Sequence, residues 1–293
     1  MKGIRLQQIG GEPTMKIGFI GAGKVGCTLG KYFSQGGLDI SGYFSRTNAS
    51  AIEAAQFTDS KYYSDLLSLI EHSDFIFITV SDDKISSIWD HIKEMPIQGK
   101  FICHCSGSIS SQIFSDIEQL GAFGYSIHPL LAIHSKKESY KNLQDALFTV
   151  EGEPTNMHLV ITFLERLGNS VQTIPTSAKK AYHAAAVFAS NHIVALAQIA
   201  IDMFMNCGFE EDTARQAIAP LLLGNVANIV NVGPKEALTG PVERNDISTI
   251  QKHLSCLTPE QQIIYKELSK ILIKIGLEKH PEFDYGEMQK LLL

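Results

Sequence analysis

The sequence predicts an α/β domain with a doubly wound, mostly parallel sheet, followed by an all-α C-terminal domain. Two observations carry this reading. From residue 16 to about 175, short β-branched or aromatic runs alternate with segments of helical spacing. After Thr176 the strand signal stops and long helical segments follow. The expected domains are residues 15–176 and 177–293, with residues 1–14 as an N-terminal extension. Met1 to Thr14 has no apolar core and is broken by "GGEP", so it does not read as a secretory signal.

The elements follow in order. "KIGFIGAG" is a short apolar run ending in glycine and reads as a buried strand. "KVGCTLGKYFSQ" has helical spacing and stops at Gly36-Gly37. "LDISGYFS" is a second strand, and "NASAIEAAQF" a helix with Asn48 as its expected N-cap. "SKYYSD" is a short strand, "LLSLIEHS" a helix and "DFIFITV" a strongly β-prone strand. "DKISSIWDHIKEM" is a helix ended by Pro96. "KFICHCS", "AFGYSIHP", "ALFTVEG" and "SVQTIPT" are further strands, with "TNMHLVITFLERLG" a helix before the last. Helices are then expected at about 178–206, 210–231, 246–255 and 259–275, with a short one near the end.

Composition narrows the function classes. The 293 residues are 44% hydrophobic and 19% charged, which suits a soluble two-domain protein. Net charge is −6 and no basic block stands out, so nucleic acid is excluded as a partner. Cys27, Cys103, Cys105, Cys207 and Cys256 are odd in number and lie in apolar contexts. They read as reduced, buried thiols of a cytoplasmic protein. "AYHAAAVFASNHIVALAQIAIDMF" is long and apolar but carries His183, Ser190, Asn191, His192, Gln198 and Asp202. That polar load points away from a membrane span and towards a helix buried inside a soluble protein.

Gly21, Gly23 and Gly26 form G-x-G-x-x-G in "GAGKVG", between a strand and a helix. In that context the first glycine permits the tight turn. The second admits a pyrophosphate against the backbone, and the third lets helix and strand pack closely. Gly21, Ala22, Gly23, Lys24, Val25 and Gly26 are therefore expected to hold a dinucleotide at the helix N-terminus. The second strand ends in Ser45-Arg46-Thr47 rather than in an acid, with Arg46 20 residues past Gly26. A guanidinium flanked by hydroxyls suits a 2′-phosphate, which favours NADP over NAD. The competing reading of Arg46 is a solvated residue at a strand end.

Ligands of open α/β sheets bind at the carboxyl ends of strands. Val80, Ser81 and Asp82 follow one strand, Ser106, Gly107 and Ser108 the next, and His128-Pro129 the one after. Hydride transfer needs a separate proton carrier, and His128 is the first candidate. Its alternative role is packing at the sheet edge. Ser106 or Ser108 either orients His128 and the substrate or caps the following helix. Cys103-His104-Cys105 does not read as a metal site, because adjacent strand residues point to opposite faces and no second pair lies at ligand spacing. In the helical part, His183, Ser190 and Asn191 fall towards one helix side at spacings of seven and eight. They read either as cleft groups or as buried packing polars. Asn245 or Asp246 caps a later helix. Arg244 and Asp246 either anchor an anionic substrate or, with Glu243, form structural ion pairs.

Taken together, "IGFIGAGKVG", "YFSR", "VSDDKI", "HCSGSIS", "HPLLAI", "YHAAAVFASNHIVAL" and "GPVERNDISTIQKHL" resemble a family from about Met15 to His280. It is the family of provisionally named NADP oxidoreductases that join a Rossmann-like domain to a helical domain of unknown function, the DUF2520 type. The layout is more distantly similar to pyrroline-carboxylate reductases, prephenate dehydrogenases and the β-hydroxyacid and 6-phosphogluconate dehydrogenases, whose helical domains usually dimerise. His128-Pro129, with Ser106 22 residues earlier, is similar to the histidine and serine pair of prephenate dehydrogenases. There the resemblance implies assisted proton removal by the histidine. Asn191 matches the asparagine of β-hydroxyacid dehydrogenases, but Val187 stands where they carry lysine, which leaves His183 as a substitute.

Two functions are consistent with these features. The first is a cytoplasmic NADP-dependent oxidoreductase acting on a small polar carbonyl or imine compound. In that reading His128 is the acid/base, Ser106 and Asn191 orient the substrate, His183 is a further catalytic candidate, and Ser108, Arg244 and Asp246 bind a substrate between the domains. The second is a non-catalytic NADP(H)-binding sensor. The helix at 178–206 is apolar on more than one face, so a homodimer through the helical domain is expected in either case.

Overall fold

The computed structural model describes residues 15–293; the expected N-terminal extension, residues 1–14, lies outside them. The described residues divide into two compact units, one ending at Ile193 and the other running from Val194 to Leu293.

The first unit contains strands β1 (Lys16–Ile20), β2 (Asp39–Phe44), β3 (Lys61–Tyr62), β4 (Phe75–Ile78), β5 (Phe101–His104), β6 (Phe123–Pro129), β7 (Phe148–Gly152) and β8 (Val171–Thr173). They form one sheet in the order β3-β2-β1-β4-β5-β6-β7-β8. Neighbours from β3 to β6 are parallel, β6 and β7 are antiparallel, and β7 and β8 are parallel. The strand order therefore reverses between β1 and β4, which opens a crevice at their carboxyl ends. The predicted mostly parallel α/β sheet followed by helices is the fold observed.

Strand alternation builds the two faces. Phe75 and Phe77 of β4 enter one core with Phe19, Phe33 and Phe163. Ile76 and Ile78 enter the other with Ile85 and Trp89. Helices α1 (Lys24–Gln35), α2 (Asn48–Thr58) and α5 (Met157–Glu165) supply the first core. Helices α3 (Leu66–Glu71) and α4 (Asp82–Ile92) supply the second. Thr47 rather than Asn48 occupies the N-cap of α2. Residues Ser111–Ile113 form a single 3₁₀ turn, not the expected helix.

Helix α6 (Lys179–Ala189) and helix α7 (Asn191–Asn206) replace the single helix expected at 178–206. The break is at Ser190, whose φ and ψ are −129° and −75°. Its hydroxyl bonds the Ala186 carbonyl, one of the local side-chain bonds that compete with helix continuation. Nor is this segment buried within the chain, since Lys179 is the only buried residue of α6 and α7 has none.

The second unit contains α8 (Glu211–Ala237), α9 (Ile247–Cys256), α10 (Pro259–Lys279) and α11 (Gly286–Leu291). Gly233, at φ +81°, and Pro234 interrupt α8 near its end. Its core is small: Val242, Ile250, Ile273, Tyr285, Met288 and Leu292. Large apolar side chains remain outside it, among them Leu223 at 71% exposure and Val230 at 79%. Cys207 and Cys256 are exposed, against the expectation of buried thiols, because they sit at the ends of α7 and α9.

Candidate functional site

The glycine turn joins β1 to α1 next to the strand-order reversal. Gly21 has φ +109°, a conformation only glycine adopts freely. A side-chain carbon at Gly26 would come to 2.5 Å from both the Gly21 carbonyl and Thr79 Oγ1, so the helix can approach the turn only with glycine there. At Gly23 the nearest atom would be 3.9 Å away, which leaves the helix entrance open. Gly23 is also the N-cap of α1, and no side chain caps the first-turn N–H groups. Those donors and the positive end of the helix dipole are available to an anion.

A cavity of about 450 Å³ lies over this turn. Gly21, Ala22, Gly23, Ser45, Arg46, Val80 and Ser81 line it, all anticipated from sequence. Thr79, Lys84, Ser87 and Ile88 also line it and were missed. Lys84 had a legible signal, as a cation one turn into the helix after β4, but it also pairs with Asp83 at 3.2 Å. Lys24 and Val25 open α1 without lining the cavity, and Thr47 bonds Ser50 Oγ. The open glycine, the uncapped helix end and the arginine at the second strand fit a dinucleotide with a phosphate beyond its ribose.

A second cluster lies at the ends of β5 and β6. Residue alternation puts Ser126 and His128 on the same face of β6. Helix α6 brings Lys179, Tyr182 and His183, at i, i+3 and i+4, to one side of the helix. His128 Nδ1 and the Tyr182 hydroxyl are 2.7 Å apart. The rings of His128 and His183 stand edge to face, with centroids 6.3 Å apart. Their free nitrogens converge on Gly107. A side-chain carbon there would collide with His183 Nδ1 and come to 3.0 Å from His128 Nε2. His183 Nδ1 is buried and has no hydrogen-bond partner among the described residues.

Burial first, and the Lys179 and His183 charges next, push His128 down to about 4. It is neutral at pH 7. Burial raises the Tyr182 phenol, which therefore remains a hydroxyl. Where that hydroxyl donates to Nδ1, the neutral imidazole carries its own proton on Nε2, towards Gly107. Tyr182 was missed from sequence, because a tyrosine in an alanine-rich helix looks like packing.

The other expected residues are placed differently. Ser106 Oγ donates to Asp82 at 2.7 Å and accepts from the N–H groups of Ser108 and Ile109, so it organises its own loop. Ser108 also donates to Asp82, at 3.1 Å. Asp82 thus ties α4 to the loop after β5. Asn191 is exposed and its amide oxygen bonds Ser190 Oγ. In the second unit Asp246 caps α9 through Thr249 N, and Glu243 bonds His280 and Lys279. Arg244 is exposed and forms no ion pair among the described residues. Cys103 packs into one core of the sheet, whereas His104 points to the opposite face beside Phe114.

The chain matches two domain families. Residues 6–129 match a Rossmann-like domain, and residues 146–271 match a domain of unknown function (DUF2520). No curated protein matches the chain. Among solved structures, a protein from Thermotoga maritima is 26% identical, with a TM-score of 0.72 over 90% of this chain and 99% of its own. A protein provisionally named an NADP oxidoreductase, from Bacteroides fragilis, is 24% identical, with a TM-score of 0.69 over 89% of this chain and 98% of its own. The Plasmodium falciparum pyrroline carboxylate reductase, solved with NADP bound, is 14% identical. Its TM-score is 0.60 over 92% of this chain and 98% of its own.

Proposed function

We propose that this Rossmann-like and DUF2520 chain is an NADP-dependent oxidoreductase. Its substrate would be a small polar compound bearing a carbonyl or imine carbon, or the corresponding alcohol or amine. The observation that carries the reading is the convergence of His128 Nε2 and His183 Nδ1 on Gly107, which follows β5 at the carboxyl ends of the parallel strands, as the glycine turn follows β1. The NADP bound to the Plasmodium relative supports the choice of cofactor, as does Arg46 in the cavity over the turn.

The Gly23 end of α1 would hold the diphosphate, and Ser45 and Arg46 the 2′-phosphate. NADP(H), when bound, supplies or accepts the hydride. The chain's own task is then the proton. In reduction, the Nε2 proton of His128 passes to the substrate oxygen or nitrogen as Tyr182 delivers its hydroxyl proton to Nδ1. Oxidation runs the same transfers in reverse. Ser108 is the nearest of the expected substrate-binding residues to this point in sequence. Asn191, Arg244 and Asp246 have no comparable support.

The exposed apolar side chains of α7 and α8 support a homodimer. Thr176–Asn206 and α8 are also long and apolar enough to cross a membrane by length and composition. Their interleaved polar groups, such as Gln198 bonded to Asp202, favour a second copy as the cover.

The test is NADPH oxidation against a panel of carbonyl and imine compounds, with His128→Asn as control. Turnover that falls at least about a hundredfold in the variant, with NADPH affinity kept, supports the reading. If no compound turns over while NADPH still binds, the protein is a cofactor-binding sensor instead.

A further inference from the structure

Lys179 is a buried cation that the hydride-transfer reading has not used. It is 1% exposed, at the first position of α6. Its ammonium donates to Ser126 Oγ at 2.6 Å, and Ser126 in turn bonds the Ser106 carbonyl at 3.2 Å. The ammonium also lies 5.5 Å from the centre of the Tyr182 ring. No carboxylate of the described residues lies within ion-pair distance of it. Glu151, itself buried, spends its oxygens on Ser111 N, Ser111 Oγ and Thr176 Oγ1. An unpaired buried ammonium is costly to keep, which is why its presence beside a proton-carrying pair asks for a reason.

We propose that Lys179 is a positioning residue that sets the protonation state of the Tyr182–His128 pair. The proposal rests on the oxidoreductase reading for its purpose but not for its test. A positive charge under the Tyr182 ring opposes an added proton on His128, so the imidazole stays neutral. It also favours the phenolate that remains when Tyr182 gives its proton to Nδ1. The proton balance closes: one proton leaves Nε2 for the substrate, one leaves Tyr182 for Nδ1, and the phenolate is reprotonated from water. Ser126 holds the ammonium in place, since it is itself anchored to the loop that carries Gly107.

The groups facing Lys179 come from every side: Glu151 on β7, Cys105 after β5, Asp82 on α4 and Tyr182 on α6. Burial outweighs the acidic neighbours and brings the ammonium down to about 8, so it is still charged at pH 7. Its charge is the second cause, after burial, of the lowered His128 value, and it also acts on His104.

The test is a histidine NMR titration of the full chain, read at His128, for the native protein, Lys179→Met and Lys179→Arg. The expected result is a His128 proton affinity at least about threefold higher in Lys179→Met and near native in Lys179→Arg. An unchanged or lower affinity in Lys179→Met overturns the proposal. Should that variant fail to fold, the lysine side-chain signal of the native protein decides. A Lys179 that is uncharged from pH 6 to 7 overturns the proposal, and one that stays charged throughout that range sustains it. If His128→Asn keeps full turnover while the titration shifts as expected, the coupling stands and the catalytic reading alone falls.

Discussion

Tyr182 on α6 and His128 on β6 meet at 2.7 Å although 54 residues separate them. That one contact fixes which nitrogen of the imidazole faces Gly107. Tyr182→Phe removes the Nδ1 partner while keeping the ring over Lys179. We expect kcat to fall about tenfold to a hundredfold with little change in NADPH affinity. Steady-state kinetics with NADPH titration check this, and an equal loss of cofactor affinity would assign Tyr182 a structural role.

Arg46 is an exposed cation lining the cavity over the glycine turn. Charge-assisted hydrogen bonds to a phosphate contribute roughly 1.5–3 kcal/mol, or about tenfold or more in affinity. Arg46→Ala should therefore weaken NADPH by at least about tenfold and leave NADH almost unchanged. Calorimetric titration with both cofactors measures it; equal losses for the two would remove the 2′-phosphate assignment.

Acid should destabilise the protein earlier than its carboxylates require. His128 and His104 are both held down to about 4, chiefly by burial, against 6.5 when unfolded. Between those values the unfolded chain binds protons that the folded chain refuses. Stability thus falls as pH drops from 6.5 towards 4, by up to about 3 kcal/mol for each histidine. Lys179 adds no slope there, because it is protonated in both states. Urea unfolding at pH 7 and pH 5 should differ by about 2 kcal/mol or more, and equal values would contradict the assignment.

Phe188 at 67%, Val194 at 71% and Leu223 at 71% exposure are each large apolar side chains that a partner surface would cover. Sedimentation equilibrium should give twice the mass of the chain. A monomer, or recovery only with lipid vesicles, would reject the homodimer.

Much of the fold was legible in the sequence because it is local. Short β-branched and aromatic runs such as "DFIFITV" and the glycine-rich turn each state their conformation within ten residues. Helix 178–206 was not, because a serine bond to the preceding turn decides its break, and its burial depends on what covers it.

The sequence by itself determined the doubly wound sheet, the switch to helices and the residues gathered at the turn. Backbone periodicity and glycine sterics encode these over short distances. Only the tertiary structure decided that Ser106 serves its own loop with Asp82, and that Tyr182, His183 and Lys179 close on His128 and Ser126. The first joins a loop to a helix start 24 residues earlier and the others join a strand to a helix some fifty residues later, so no local pattern records which side chains meet.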